Sequence, residues 1–201
     1  MVSKICLFGH NIPVYANTKT WAAIQTYIKG NFPAPNKNTF NMLESFNLGD
    51  LKIFPFPIPH DAADPCGFNI YHGSQKLSIV TDLGHVNPHV FKYLENSSSI
   101  ILESNYDPNI LTVSTYPRML KQRISGPNGH LANDIAANTI CQLIGSGLKD
   151  ALLVHLSKEN NFPELAHQTI IAKLSQNNYA FSEINIDVAP RNHVSNRFTI
   201  T

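Results

Sequence analysis

Cysteine, charge and long apolar segments are all scarce in this sequence of 201 residues. Its three cysteines, Cys6, Cys66 and Cys141, form no C-x-x-C pair, which argues against a zinc knuckle or a disulfide framework and favours a reducing compartment. Charged residues make up 14% and the formal net charge is +1, which excludes a global basic field for nucleic acid or membranes. The apolar stretch near Met1 is too short for a signal peptide or a membrane span. We therefore expect a cytoplasmic protein.

What is present is the pattern of one globular α/β domain over residues 1–201. Apolar residues make up 43%, and short apolar runs alternate with helical spacings, which is typical of a sheet covered by helices. A proline-rich loop, PIPHDAADPCG, interrupts the early strands. The predicted strands cover residues 11–15, 51–56, 68–71, 76–81, 100–102, 151–154 and 181–188. The predicted helices cover residues 20–30, 88–94, short segments near Asn109 and Arg118, 134–144 and 163–174, and residues 31–38 are predicted to be loop.

Polar side chains with metal-binding chemistry follow the apolar strands. His60 and Asp61 follow one apolar β run, Asp82 follows LSIVT, and His155 follows LLV. Imidazole and carboxylate are the groups that borderline and hard divalent metals prefer, and α/β folds place their sites at converging strand ends. The alternatives are a hydrogen-bonded structural histidine and, for the Asp in TDLG, a simple turn former.

Several segments resemble one known family. PHDAADPCGF, TDLG and VHLSKENN resemble, in order, the third to fifth motifs of metallo-β-lactamase-fold hydrolases. ILESNYD, YPRMLKQRISGPNGHLAN and NIPVYANTKTW resemble the YycJ/WalJ-type branch of single-stranded-DNA 5′-exonucleases. The resemblance runs from Asn11 to about Ala189. It implies an αββα sandwich that is incomplete here, because the N-terminal strands of that fold are missing.

The resemblance also implies roles for individual residues. His60 would ligate a first metal, Asp82 would bridge two metals and His155 would ligate the second, with zinc or manganese as the divalent cofactor. Glu103 and His130 resemble a catalytic pair in which the carboxylate orients a histidine that protonates the leaving oxygen. The alternative for this pair is a structural hydrogen bond beside a helix start.

A cationic run and two polar residues are the candidates for substrate binding. Arg118, Lys121 and Arg123 could neutralise a phosphate backbone, or they could form a solvated helix face. Ser157 and Asn161 could contact substrate or support the His155 loop. The other histidines that match no motif are interpreted as surface or structural residues: His72, His85, His89, His167 and His193.

The signature H-x-H-x-D-H of the family does not occur in these residues. Aligning NIPVYANTKTW with the family would put that motif just before Met1, so we expect the chain to be the C-terminal portion of the family's domain, with weakened metal binding. The leading hypothesis is a metal-dependent phosphodiesterase for single-stranded nucleic acid, since Glu103 and His130 favour that chemistry. The alternatives are an ester or thioester hydrolase on the same fold and a non-catalytic fragment.

Overall fold

The computed structural model of the protein describes residues 12–27, 36–197 and 200. Strands and helices alternate along these residues, as the sequence predicts. In chain order the elements are β1 (Val14–Ala16), α1 (Thr18–Tyr27), β2 (Lys37–Thr39), β3 (Phe46–Leu48), β4 (Leu51–Pro57), β5 (Cys66–His72), β6 (Gln75–Val80), α2 (Pro88–Leu94), β7 (Ser99–Glu103), α3 (Pro108–Val113), α4 (Arg118–Ile124), α5 (Asn133–Ile144), β8 (Asp150–Val154), α6 (Pro163–Gln176), a 3₁₀ turn (Phe181–Glu183) and β9 (Asn185–Val188).

Strands β3 to β9 form one mixed sheet in which every strand lies beside the next strand of the sequence. The pairs from β3 to β6 are antiparallel, and the pairs from β6 to β9 are parallel. Strands β1 and β2 form a separate parallel pair. The prediction of an α/β protein is confirmed.

The parallel half of the sheet brings three strand ends to one edge. Val80 at the end of β6 pairs with Leu102 of β7, which pairs in turn with Leu153 of β8. Because β6, β7 and β8 run in the same direction, the residues that follow them emerge side by side. This edge therefore carries Asp82, Glu103 and His155.

Helices α2, α5 and α6 cover one face of this sheet. Their apolar residues recur at helical spacing and pack against the alternate residues of β6, β7 and β8 that face them. The buried residues contributed by these elements are Val80, Val90, Leu94, Ile100, Leu102, Ala136, Ala137, Ile140, Cys141, Leu143, Ala151, Leu153, Ala166, Ile170 and Leu174. The sheet edge is thus held by a continuous apolar core.

Some predicted boundaries are matched and one strand is corrected. Helix α2 begins at Pro88, as predicted, because the Asn87 side chain accepts a hydrogen bond from the Val90 amide. The predicted strand over residues 181–188 is wrong in its first half: a 3₁₀ turn closes there through a Glu183 amide bond to the Ala180 carbonyl, and only Asn185–Val188 is a strand.

The N-terminal predictions are met only in part. Helix α1 begins at Thr18, since the Asn17 side chain caps it by accepting from the Thr20 amide, and the predicted helix end at residues 28–30 lies outside the described residues. The first strand is Val14–Ala16, and Asn11 lies outside the described residues too. Strands β2 and β3 were not predicted, and β2 includes residues 37–38 of the predicted loop.

In the described part of the chain, no helix is long and apolar enough to cross a membrane.

Candidate metal centre

Two residues at the sheet edge adopt a left-handed backbone conformation. Asp82 has φ of 55° and His155 has φ of 59°, values that few non-glycine residues adopt. Each residue stands where the chain leaves a parallel strand, Asp82 after β6 and His155 after β8. Backbone strain of this kind, about 1 kcal/mol per residue or more, is concentrated at functional sites in proteins.

Asp82 lies at the centre of three imidazoles. Its Oδ1 atom is 3.6 Å from Nε2 of His60, 3.7 Å from Nε2 of His155 and 3.9 Å from Nδ1 of His130. The His130 ring lies 5.3 Å from each of the other two rings, measured between centroids. The three residues predicted as metal ligands, His60, Asp82 and His155, are therefore brought together, with His130 beside them.

A backbone carbonyl orients His60. Its Nδ1 lies 3.0 Å from the carbonyl oxygen of Gly129, an acceptor only, so Nδ1 carries the proton in this arrangement. The unprotonated Nε2 then faces Asp82. This orientation by a second group is the usual arrangement of metal-binding histidines.

Glu103 is a buried carboxylate that holds two of the histidines. Its Oε1 accepts from Nδ1 of His130 at 2.8 Å and from Nδ1 of His155 at 2.7 Å, and its Oε2 accepts from the Leu83 amide at 2.6 Å. Burial alone raises the pKa of Glu103, but the hydrogen bonds from His130, His155 and Leu83 together lower it below its usual value. Glu103 therefore stays ionised, and its hydrogen bond raises the pKa of His155.

Buried amides brace the loop that carries His155. Asn105 donates to the His155 carbonyl at 2.6 Å, and the Ser157 amide donates to the Asn105 carbonyl at 2.7 Å. Asn161 is 7% exposed and donates to the carbonyls of Ser104 and Asn105. Of the two alternatives for Ser157 and Asn161, these contacts favour support of the His155 loop.

Known proteins share this sequence pattern. The beta-lactamase superfamily domain matches residues 2–156. The exodeoxyribonuclease YycJ of Bacillus anthracis is 33% identical over 174 residues, which are 87% of this chain and 66% of that protein. The exodeoxyribonuclease WalJ of Streptococcus pneumoniae is 35% identical over 169 residues, which are 83% of this chain and 62% of that protein. The chain belongs to the beta-lactamase superfamily.

Solved structures of the superfamily agree with this assignment. The metallo-beta-lactamase fold protein YhfI of Bacillus subtilis superposes with a TM-score of 0.63 at 15% identity, covering 90% of this chain and 62% of that chain. The predicted metallo-β-lactamase fold is therefore confirmed. The chain spans 62% to 66% of the length of the curated relatives named above.

The donor atoms fit the divalent metals on which this superfamily depends. Zinc binds nitrogen and oxygen at about 2.0 to 2.2 Å, so that two ligands of a tetrahedral ion lie roughly 3.3 to 3.6 Å apart. The distances from Asp82 Oδ1 to His60 and His155 are 3.6 and 3.7 Å. Two groups of described residues could hold an ion: His60, Asp82 and His130, and Glu103, His130 and His155.

Of the three side chains in the predicted cationic run, two have hydrogen-bond or ion-pair partners in the described residues and one has none. Lys121 donates to the Thr112 carbonyl at 2.6 Å. Arg123 forms a two-point ion pair with Asp61, with Nε 2.6 Å from Oδ2 and Nη2 3.1 Å from Oδ1. Within the described residues, Arg118 is exposed and has no hydrogen-bond or ion-pair partner. Arg118 alone of the three is free to meet a phosphate.

Sequence reasoning missed two residues next to the centre. The sequence places Asp61 beside His60 but indicates no partner for it, and the ion pair with Arg123 lowers the pKa of the Asp61 carboxyl. His85, interpreted as surface or structural, has Nδ1 2.8 Å from the carbonyl of Pro127, the residue whose loop also contacts His60. Both partners lie more than forty residues away in the chain, and no local pattern indicates them.

Proposed function

We propose that this centre belongs to a metal-dependent phosphodiesterase that acts on single-stranded nucleic acid. The observation that carries the proposal is the shared carboxylate: Glu103 Oε1 holds both His155, a proposed metal ligand, and His130, a proposed acid. One buried group thereby fixes the spacing between metal and acid. The exodeoxyribonuclease names of the relatives support this choice of substrate.

The metal would be held by three residues. His60 and His155 would each present Nε2 to one ion, and Asp82 would bridge the two ions with its carboxylate. Bound zinc or manganese supplies a water nucleophile at neutral pH and stabilises charge on the phosphate. A cleft of about 470 Å³ opens beside His60 and Asp82, between α1 and the loop that precedes β5, and gives access to this side.

His130 would supply the proton for the leaving oxygen. Its Nδ1 hydrogen is committed to Glu103, so Nε2 is the atom that can carry a proton to substrate. The hydrogen bond to Glu103 would hold the orientation of the His130 ring. Exposed Arg118, at the start of α4, would contact the phosphate backbone.

Cleavage of a 5′-labelled single-stranded oligonucleotide tests the proposal. The 201-residue chain lacks the H-x-H-x-D-H ligands, so we expect no measurable cleavage from it, whereas a longer version that carries this motif before Met1 should cleave with added manganese or zinc. In the longer version, Asp82→Ala should abolish turnover by removing the bridge. His130→Ala should slow turnover by roughly 10²- to 10⁴-fold while metal remains bound.

The control is Lys92→Gln, an exposed change on α2 away from the edge, which should leave turnover unchanged. Strong, chelator-sensitive nuclease activity from the 201 residues alone would contradict the assignment of ligands. A longer version that binds both metals but hydrolyses only esters would establish the alternative, an ester hydrolase on this fold.

A further inference from the structure

The loop over residues 125–130, SGPNGH, contacts the metal-ligand loops through its backbone carbonyls. Asn128 accepts from the Asp61 amide at 3.0 Å, and Gly129 accepts from His60 Nδ1 at 3.0 Å. Pro127 accepts from His85 Nδ1 at 2.8 Å. The 125–130 loop ends at His130, so the segment that orients His60 also carries the proposed acid.

Two glycines allow this loop to pack backbone against backbone. A Cβ atom on Gly84 would lie 2.2 Å from the Pro127 carbonyl oxygen, and one on Gly129 would lie 2.2 Å from the carbonyl oxygens of Arg123 and Ile124. These separations are far below van der Waals contact, so a side chain at Gly84 would push the 125–130 loop away from the sheet edge, and one at Gly129 would push it away from the end of α4. The position of the loop is therefore set by close contacts on both of its sides.

Arg123 connects the root of this loop to the residue after His60. Its guanidinium reaches across 62 positions of sequence to hold both carboxylate oxygens of Asp61. A planar guanidinium that binds a carboxylate at two points fixes orientation as well as distance. Both side chains are partly exposed, at 58% for Arg123 and 36% for Asp61, and exposed ion pairs contribute little to folding.

We infer that Arg123 is a positioning residue for the metal centre: its ion pair with Asp61 fixes the 125–130 loop on the His60 loop and so sets the spacing of His60 and His130. The inference deepens the proposed function and rests on it for the identity of the bound ion. Arg123 is then not a phosphate contact, and Arg118 remains the proposed phosphate contact.

The positive charge of Arg123 allows an effect of charge on metal binding to be distinguished from an effect of position. Arg123 is a positive charge near a cation site, so by charge alone Arg123→Gln should strengthen metal binding. If Arg123 acts by position, the same change should weaken metal binding, because His60 loses its fixed orientation. Loss of a group that orients a metal ligand weakens metal affinity by roughly 10- to 100-fold in known sites.

The experiment titrates Co²⁺ into the 201-residue chain and its variants, and follows the visible absorption of the bound ion, which reports its coordination geometry. Arg123→Gln and Asp61→Asn should each weaken Co²⁺ binding by roughly tenfold and change the spectrum. The double variant should bind Co²⁺ no more weakly than the weaker-binding of the two single variants, because both changes break the same ion pair. Lys92→Gln is the control. Arg118→Gln should leave the Co²⁺ titration unaltered.

Hydrogen exchange of the Asp61 amide, measured in chelator, gives a second readout that needs no metal. Because this amide donates to Asn128, Arg123→Gln should accelerate its exchange, and Lys92→Gln should not. Equal or tighter Co²⁺ binding by Arg123→Gln, with an unchanged spectrum, would overturn the inference, as would unchanged exchange at Asp61. Absence of any Co²⁺ spectrum from the unaltered chain would contradict metal binding by His60, Asp82 and His155 alone, and the exchange of the Asp61 amide would then decide whether Arg123 holds the loop.

Discussion

Glu103 combines full burial with three hydrogen bonds, and this makes its substitution by glutamine informative. A glutamine keeps the shape but removes the charge, and its amide group would face either the Leu83 amide or the two histidine donors. Two buried hydrogen-bond donors that face each other without an acceptor destabilise the folded protein by about 1 to 3 kcal/mol. We expect Glu103→Gln to lower the free energy of unfolding by that amount in metal-free protein, as measured by urea denaturation.

The loss should depend on pH in a defined direction. The hydrogen bond to Glu103 raises the pKa of His155 above 6.5, so its contribution to stability is full below pH 6.5 and is lost as the pH rises through the pKa of the folded protein. The pKa of Glu103 lies below 4.5, outside this window. The deficit of Glu103→Gln should thus be larger at pH 5.5 than at pH 8.5, and His155 should titrate lower by NMR. A deficit that grows with pH would contradict this.

The backbone at Asp82 and His155 shows what residue types alone cannot predict. That an acid after LSIVT and a histidine after LLV lie at a sheet edge follows from the order of strands. That both adopt a left-handed conformation depends on the packed loops around them, because residues other than glycine seldom adopt it from local preference alone. The pairing of Arg123 with Asp61 likewise depends on tertiary structure, because the sequence offers only a phosphate contact or a solvated helix face for this side chain.

Lys76 links three elements at the end of the sheet away from the metal centre. Its ammonium donates to the carbonyls of Tyr93 and Glu95, where helix α2 ends, at 2.7 and 2.6 Å. Asn69 of β5 donates to the same Tyr93 carbonyl. Burial lowers the pKa of Lys76 to about 8.

Stability should therefore rise in alkaline solution on account of Lys76. Between pH 8 and 10.5 the unfolded chain holds a proton that the folded protein has released, so the free energy of unfolding increases with pH, by about 3 kcal/mol in full. In Lys76→Met this increase should vanish, whereas Lys52→Met, on the exposed side of β4, should retain it. Urea denaturation at pH 8 and pH 10 measures the difference, and parallel curves for the protein and Lys76→Met would refute it.

Helices and strands were predictable where capping and periodicity agree, and were missed where they do not. Asn87 followed by Pro88 marks the start of α2 unambiguously. Strand β3 has only three residues, which is too short for its alternation to be recognised in the sequence, and its pairing with β4 stabilises it as a strand. The segment around Phe181 has apolar character like a strand, but the Glu183 side chain accepts from the Ala180 amide and closes a turn.

At the scale of the whole molecule, the number of donors limits metal binding. Within the described residues, each proposed ion has one histidine, His60 or His155, and shares Asp82, whereas stable zinc sites use three or four protein ligands. We expect the 201-residue chain to bind fewer than two zinc ions, and weakly, in a calorimetric titration. Two tight sites in the unassisted monomer would show that other residues of the chain complete the coordination.

The order of strands in the large sheet has a consequence for biosynthesis. Since every strand from β3 to β9 pairs with its successor in the sequence, each strand finds its partner already emerged from the ribosome. Contacts between neighbours in sequence close short loops and favour rapid folding. The proposed site residues consequently emerge in the order His60, Asp82, Glu103, His130 and His155, and they come together once β8 has paired with β7.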